Sequence, residues 1–128
     1  MTIDQALHTV DELKPNQVER ARKIEWLSRV DKRVYRDVLC RHEREDEDEV
    51  PDTFTGYSQD TPPDTELLIK APYDEIYRFC LEMQIDLVNL EYDKYNNSAA
   101  LYANAMGEFT RDWHRRHKPL PECNYLRF

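Results

Sequence analysis

His114 and His117 stand three residues apart, a spacing that sets two imidazoles on one face of a helix, and Cys40 lies two residues before His42. Each pair has the chemistry to give a transition metal two ligands, but neither finds a third along the chain. His117 belongs to the run Arg115-Arg116-His117-Lys118, with His114 just before it, and cations gather there because a helix C-terminus favours positive charge. Cys40, Cys80 and Cys123 are odd in number and form no C-x-x-C pair, so neither a disulfide framework nor a zinc site is suggested, and a reducing cytosol fits. The remaining candidates for chemistry are Glu45, Asp46, Glu47, Asp48 and Glu49. These acids would attract Mg²⁺ or Ca²⁺, yet a calcium loop spaces its oxygens and places a glycine at its bend, and that pattern is missing. They read as a solvated, self-repelling loop, with repulsion of nucleic acid or docking of a basic partner as the functional alternative. Acid and base work by paired carboxylates needs a pocket, which nothing in the sequence indicates. The expectation is a non-enzymatic protein with no catalytic residues, no metal and no cofactor.

The formal charge is −8, and residues 43–52 hold seven acids against Arg44, a net of −6. Clustered cations are what phosphate backbones retain, so sequence-specific nucleic-acid binding is disfavoured. The 128 residues suit one domain, and only two glycines occur, which disfavours a turn-rich sandwich or a glycine cradle for phosphate. The N-terminus lacks the basic and apolar regions of a signal peptide, and no run approaches the ~20 apolar residues of a membrane span. A soluble, unexported chain is expected.

The elements that carry these residues follow from apolar spacing. Thr2 with Gln5 has the form of a capping box, and Ile3, Ala6, Leu7, Val10 and Leu13 then share one helical face. Lys14-Pro15-Asn16 ends this helix. Asn16 with Glu19 repeats the capping signal, and the apolar period from Val18 through Ile24, Leu27, Val30, Val34 and Leu39 predicts a second helix to about Arg41, with a break near Ser28 as an option. Residues 42–71 lose the period among acids, prolines and Gly56, and form a connector far beyond the usual ~4–6 residues. Near its end Leu67-Leu68-Ile69 reads as extended. Pro72 suits the first turn of a helix whose stripe is Tyr73, Ile76, Tyr77, Cys80, Met83, Leu87 and Leu90. Asn96 and Asn97 are expected to turn the chain, and Ala99, Tyr102, Ala103, Met106, Phe109 and Trp113 to give the facing stripe of an antiparallel hairpin over residues 72–118. Pro119 and Pro121 stop the last helix, and residues 119–128 read as an extended tail. The fold class is all-α, with about four helices: two in residues 1–41, the acidic and extended connector over 42–71, the hairpin, and the tail.

Tyr73, Tyr77, Tyr92, Tyr95, Tyr102 and Trp113 sit at helical spacing, which assigns most of them to packing rather than to stacking on bases. Trp26 lies off the direction of Ile24 and Leu27. It is either a half-exposed anchor at a subunit contact or a cover for the first helix. Leu67, Leu68, Ile69 and the tail residues Tyr125, Leu126 and Phe128 either tuck back on their own subunit or pair with a neighbour by strand addition.

Several segments carry a resemblance: Lys23-Ile24-Glu25-Trp26-Leu27-Ser28, Thr65-Glu66-Leu67-Leu68, Ala71-Pro72-Tyr73-Asp74-Glu75-Ile76-Tyr77, Gln84-Ile85-Asp86 and Tyr95-Asn96-Asn97-Ser98-Ala99-Ala100. Together they resemble head-to-tail connector, or adaptor, proteins encoded in the head modules of long-tailed phages and prophages of Gram-positive bacteria. The resemblance implies a helical virion subunit that forms an oligomeric ring of about twelve copies. The ring would join the portal to the tail or stopper protein around the channel through which packaged DNA leaves. It implies no cofactor and no membrane, assembly in the host cytoplasm, and an extended C-terminal arm that grips the portal, a role that falls to Tyr125, Leu126 and Phe128. In such a ring Glu45, Asp46, Glu47, Asp48 and Glu49 would face DNA that must pass without being held. A small acidic helical regulator or adaptor that binds a basic protein through the same acids is the rival reading.

Overall fold

The computed structural model describes residues 1–43 and 50–118. Its elements are α1 (Ile3–Leu13), α2 (Arg20–Asp37), a 3₁₀ turn at Leu39–Arg41, α3 (Glu75–Val88) and α4 (Tyr92–Arg116). Among the described residues the fold is all-α, with four helices. An isolated antiparallel bridge pairs Thr2 with Glu66.

Helix α1 starts as its sequence dictates. The Thr2 N–H donates to Gln5 Oε1 at 3.0 Å, and the Gln5 N–H donates to Thr2 Oγ1 at 3.2 Å, closing the capping box. Ile3, Ala6, Leu7 and Val10 are buried as one stripe. Helix α2 begins later than Asn16 suggests, because that side chain closes a local turn instead: its Oδ1 accepts from the Val18 N–H at 3.1 Å. The helix runs unbroken past Ser28 and buries Ile24, Leu27, Val30 and Val34.

The hairpin is present, but its turn lies earlier than Asn96 and Asn97. Helix α3 ends at Val88, and both asparagines are inside the 25-residue α4. The turn is a Schellman motif built without glycine. The Glu91 N–H donates to the Asp86 carbonyl at 2.9 Å, the Leu90 N–H donates to the Leu87 carbonyl at 3.1 Å, and Leu90 takes the left-handed conformation at φ 60°. A stop signal written with leucine is invisible to a reading that looks for Gly or Asn. The apolar face of α3 shifts with it. Ile76, Tyr77, Cys80, Leu81 and Ile85 are buried, whereas Leu87 and Leu90, assigned to the stripe from sequence, are 42% and 68% exposed. Pro72 precedes α3 by three residues, in a turn where the Tyr73 N–H donates to the Lys70 carbonyl at 3.0 Å.

Polar tethers join the helices. Asp86 is fully buried near the end of α3, receives Lys14 Nζ from the end of α1 at 2.5 Å, and accepts from Ser98 Oγ of α4 at 2.9 Å. A buried carboxylate survives only when paired in this way.

The described part of the connector, residues 50–74, docks along α2. Ser28, Asp31 and Tyr35 recur every three or four residues and so share one face of α2. Tyr35 Oη donates to the carbonyls of Pro51 at 2.9 Å and Asp52 at 2.6 Å, and Ser28 Oγ accepts from the Tyr57 N–H at 3.0 Å. Gly56, at φ 101°, lies so close to Lys32 and Ser28 that a Cβ there would collide with both. Asp31 is the centre of this seam. Its Oδ1 accepts from Tyr77 Oη at 2.6 Å, and its Oδ2 accepts from Tyr57 Oη and from the Leu68 N–H at 3.1 Å. Tyr77 Oη in turn accepts from the Ile69 N–H at 2.7 Å. One carboxylate thus fastens the extended segment to α2 and α3.

Candidate interaction surfaces

That seam decides the fate of three of the proposed contact residues. Leu67 and Ile69 have no exposed surface and lie in the subunit's own core, while Leu68 is half-buried at its edge. The main-chain N–H groups of Leu68 and Ile69 are taken by Asp31 and Tyr77, so they have no donors left for a neighbour's strand. Trp26 is also a correction to the half-exposed anchor, being 6% exposed, with the Arg22 guanidinium 5.8 Å from its ring centroid. The residues Glu45, Asp46, Glu47, Asp48, Glu49, Tyr125, Leu126 and Phe128 lie outside the described residues.

The histidines rearrange relative to their order in sequence. His117 turns back on its own helix, donating from Nδ1 to the Trp113 carbonyl at 3.0 Å and stacking on the Trp113 ring at 3.9 Å between centroids. His114 instead meets His42, whose Nε2 is 3.1 Å from His114 Nδ1 and whose Nδ1 is 2.7 Å from the Val38 carbonyl. Since Nδ1 of His42 must carry a proton to bond that carbonyl, the neutral ring accepts from His114 at Nε2. This contact ties α4 to the 3₁₀ turn. Among the described residues no group of three or more His, Cys, Asp or Glu side chains is placed to hold a metal.

Cys80 is buried on α3, and burial, reinforced by the nearby Asp31 charge, pushes its thiol up to about 12. It is therefore protonated at neutral pH and is a poor nucleophile. Burial likewise pushes the Tyr102 phenol up to about 12. Both line an open cleft of about 340 Å³ between α2, α3 and α4, opposite Trp26, Arg29 and Arg33.

Two surface features are suited to contact rather than chemistry. At the hairpin tip Leu87, Val88, Leu90 and Tyr92 are 42%, 42%, 68% and 60% exposed, four apolar side chains within six residues of chain. Scattered apolar residues on a surface need no explanation, but a group of four at one turn is suited to contact. Along α2, Arg22, Arg29, Arg33 and Arg36 are all exposed at spacings of seven, four and three, which puts them on one side of the helix. Arg29 is paired with Glu25 at 2.5 Å and Arg36 with Asp37 at 2.9 Å, so the row is only partly cationic, although its period is present in the sequence.

Among the described residues no helix is long and apolar enough to cross a membrane. Comparison with protein-family models, with curated proteins and with solved structures finds no match to this chain.

Proposed function

We propose that this chain is a structural subunit of a phage or prophage virion, a head-to-tail connector that assembles into a ring between the portal and the tail or stopper protein and performs no catalytic step. The observation that carries the reading is the hairpin tip: Leu87, Val88, Leu90 and Tyr92 stand exposed on a rigid helical pair, as a subunit completed by its neighbours requires. The arginine side of α2 supports it. A chain of net charge −8 that keeps exposed arginines on one side of α2, two of them paired with Glu25 and Asp37, has charges of both signs to offer a head-to-tail contact between copies. The segments that resemble connector proteins, from residues 23–28 to residues 95–100, fall mostly on α2, α3 and α4 or on the turn leading into α3.

In such a ring of about twelve copies a heterologous interface closes on itself. The acids Glu45, Asp46, Glu47, Asp48 and Glu49 would line or border the channel and keep DNA from adhering by like-charge repulsion. The C-terminal arm would reach the portal through Tyr125, Leu126 and Phe128. Assembly would take place in the host cytoplasm before the subunit enters the virion.

Negative-stain imaging of the purified protein, alone and mixed with its candidate portal protein, tests the reading. Rings, or a collar docked on the portal, are expected. A monomer that leaves the portal bare under all conditions would remove the basis for the assignment.

A further inference from the structure

The cleft of about 340 Å³ between α2, α3 and α4 takes apolar walls from Trp26, Val30, Met83 and Tyr102, and Arg29 and Arg33 of α2 line it as cations. Arg29 is paired with Glu25 at 2.5 Å, whereas Arg33 is exposed and has no ion pair among the described residues. A concave apolar surface beside a cation that is not neutralised suits an apolar segment carrying an acid.

The hairpin tip of this chain is such a segment. Leu87, Val88, Leu90 and Tyr92 are exposed on it, and Glu91 and Asp93 lie among them in sequence. Lys94 takes Glu91 at 3.3 Å, which leaves Asp93 exposed and without an ion pair among the described residues. The turn is closed by the main-chain bonds of the Leu90 and Glu91 N–H groups, so the tip is ordered before it docks and loses little conformational freedom in docking. It cannot enter the cleft of its own chain. Gln84 on the cleft wall and Val88 at the tip belong to the unbroken helix α3, which fixes them about 6 Å apart along its axis. A tip seated in the cleft therefore comes from a second copy.

We propose that residues 87–93 of one subunit dock in the α2–α3–α4 cleft of the next, with Leu90 and Tyr92 against its apolar walls and Asp93 toward Arg33. The inference rests on reading the chain as a self-assembling subunit, and it names the two surfaces that meet. Tip and cleft are different patches and every copy carries both, so the contact is heterologous, the kind that repeats from copy to copy until a ring closes.

The test uses full-length protein. Leu87→Ser/Leu90→Ser strips the tip of two apolar side chains, and Arg33→Glu/Met83→Glu reverses the charge of the cleft. None of the four positions is in the buried core, so helical circular dichroism should be unchanged. In sedimentation each variant alone is expected to self-associate at least about tenfold more weakly than the wild type. Their equimolar mixture is expected to form a one-to-one pair and nothing larger, because one variant keeps its cleft and the other its tip. A mixture that stays monomeric, or a variant that associates as the wild type does, overturns the proposal. Benzoylphenylalanine at position 92, irradiated in a mixture of ¹⁵N-labelled and unlabelled copies, decides where a variant loses helical signal. Crosslinks between copies to residues 26–33, 80–84 or 102 support the proposal. Rings whose crosslinks fall elsewhere overturn it and leave the ring reading standing, whereas a closed pair crosslinked in the cleft supports it and sinks the ring reading. No crosslink between copies, with or without the candidate portal protein, overturns both.

Discussion

Replacing Asp31 with alanine removes the acceptor for three donors at once. Asp31 has no exposed surface, and it receives Tyr77 Oη at 2.6 Å, the Leu68 N–H at 3.1 Å and Tyr57 Oη. Tyr57 is half-buried and can turn toward water. The Leu68 N–H and the fully buried Tyr77 hydroxyl stay enclosed, each costing about 1–3 kcal/mol once unsatisfied. Removing a desolvated charge offsets part of this, which leaves a net loss of about 3 kcal/mol out of the ~5–15 typical of a domain. At this size the melting temperature should fall by roughly 10 °C. Urea unfolding followed by far-UV circular dichroism reads the loss directly, as a lower midpoint at constant slope. Asp31→Asn keeps one carbonyl oxygen for Leu68 and Tyr57, and its amide can donate to Tyr77 Oη, so it should cost about half as much. Burial raises the Asp31 carboxyl above its ordinary value of 3.8, against three donors and Lys70 that pull it down. A carboxyl raised in the folded state holds its proton more tightly there than in the unfolded chain. Its contribution is therefore full below the ordinary value and is lost as pH rises through the raised one. The advantage of wild type over Asp31→Asn should accordingly be greatest in acid and shrink toward neutral pH. A loss below about 0.5 kcal/mol for Asp31→Ala, or an advantage that grows with pH, would refute the claim that this carboxylate fastens the connector.

Three further outcomes follow from local geometry. Leu90→Gly relieves a left-handed leucine that is 68% exposed, and should stabilise the hairpin by about 0.5–1 kcal/mol in the same unfolding measurement. Gly56→Ala should cost about 1–3 kcal/mol, because its φ of 101° and its approach to Lys32 and Ser28 both reject a side chain; a thermal melt checks it. Trp113→Ala should lose about 3–5 kcal/mol, since the ring packs between Phe109 and His117, and a loss within error in urea would place it outside the core.

Much of the fold could be read from apolar period and cap chemistry because both act over a few residues. Thr2, Gln5, Ile3, Ala6, Leu7 and Val10 are a local device, and α1 follows them closely. The hairpin was also legible, since two long apolar periods with little chain between them must pack antiparallel. Its turn was not, because Leu90 occupies a backbone conformation that leucine seldom takes, and the helix ends there by main-chain bonds rather than by residue type. Leu67 and Ile69 read equally as packing on their own subunit or as pairing with a neighbour, because a short extended triplet carries no local sign of what covers it. Asp31, about forty residues away, was unremarkable as one charged residue on a charged helix.

By itself, then, the sequence determined what depends on near neighbours: the all-α class, four helical stripes and the start of α1. Tertiary structure alone decided which polar groups would be enclosed and paired. Asp31 with Tyr77, Asp86 with Lys14, and His42 with His114 are separated by 46, 72 and 72 residues. The physical reason is that a buried charge or hydroxyl is tolerable only where a partner arrives through space, and chain folding, not local spacing, brings that partner.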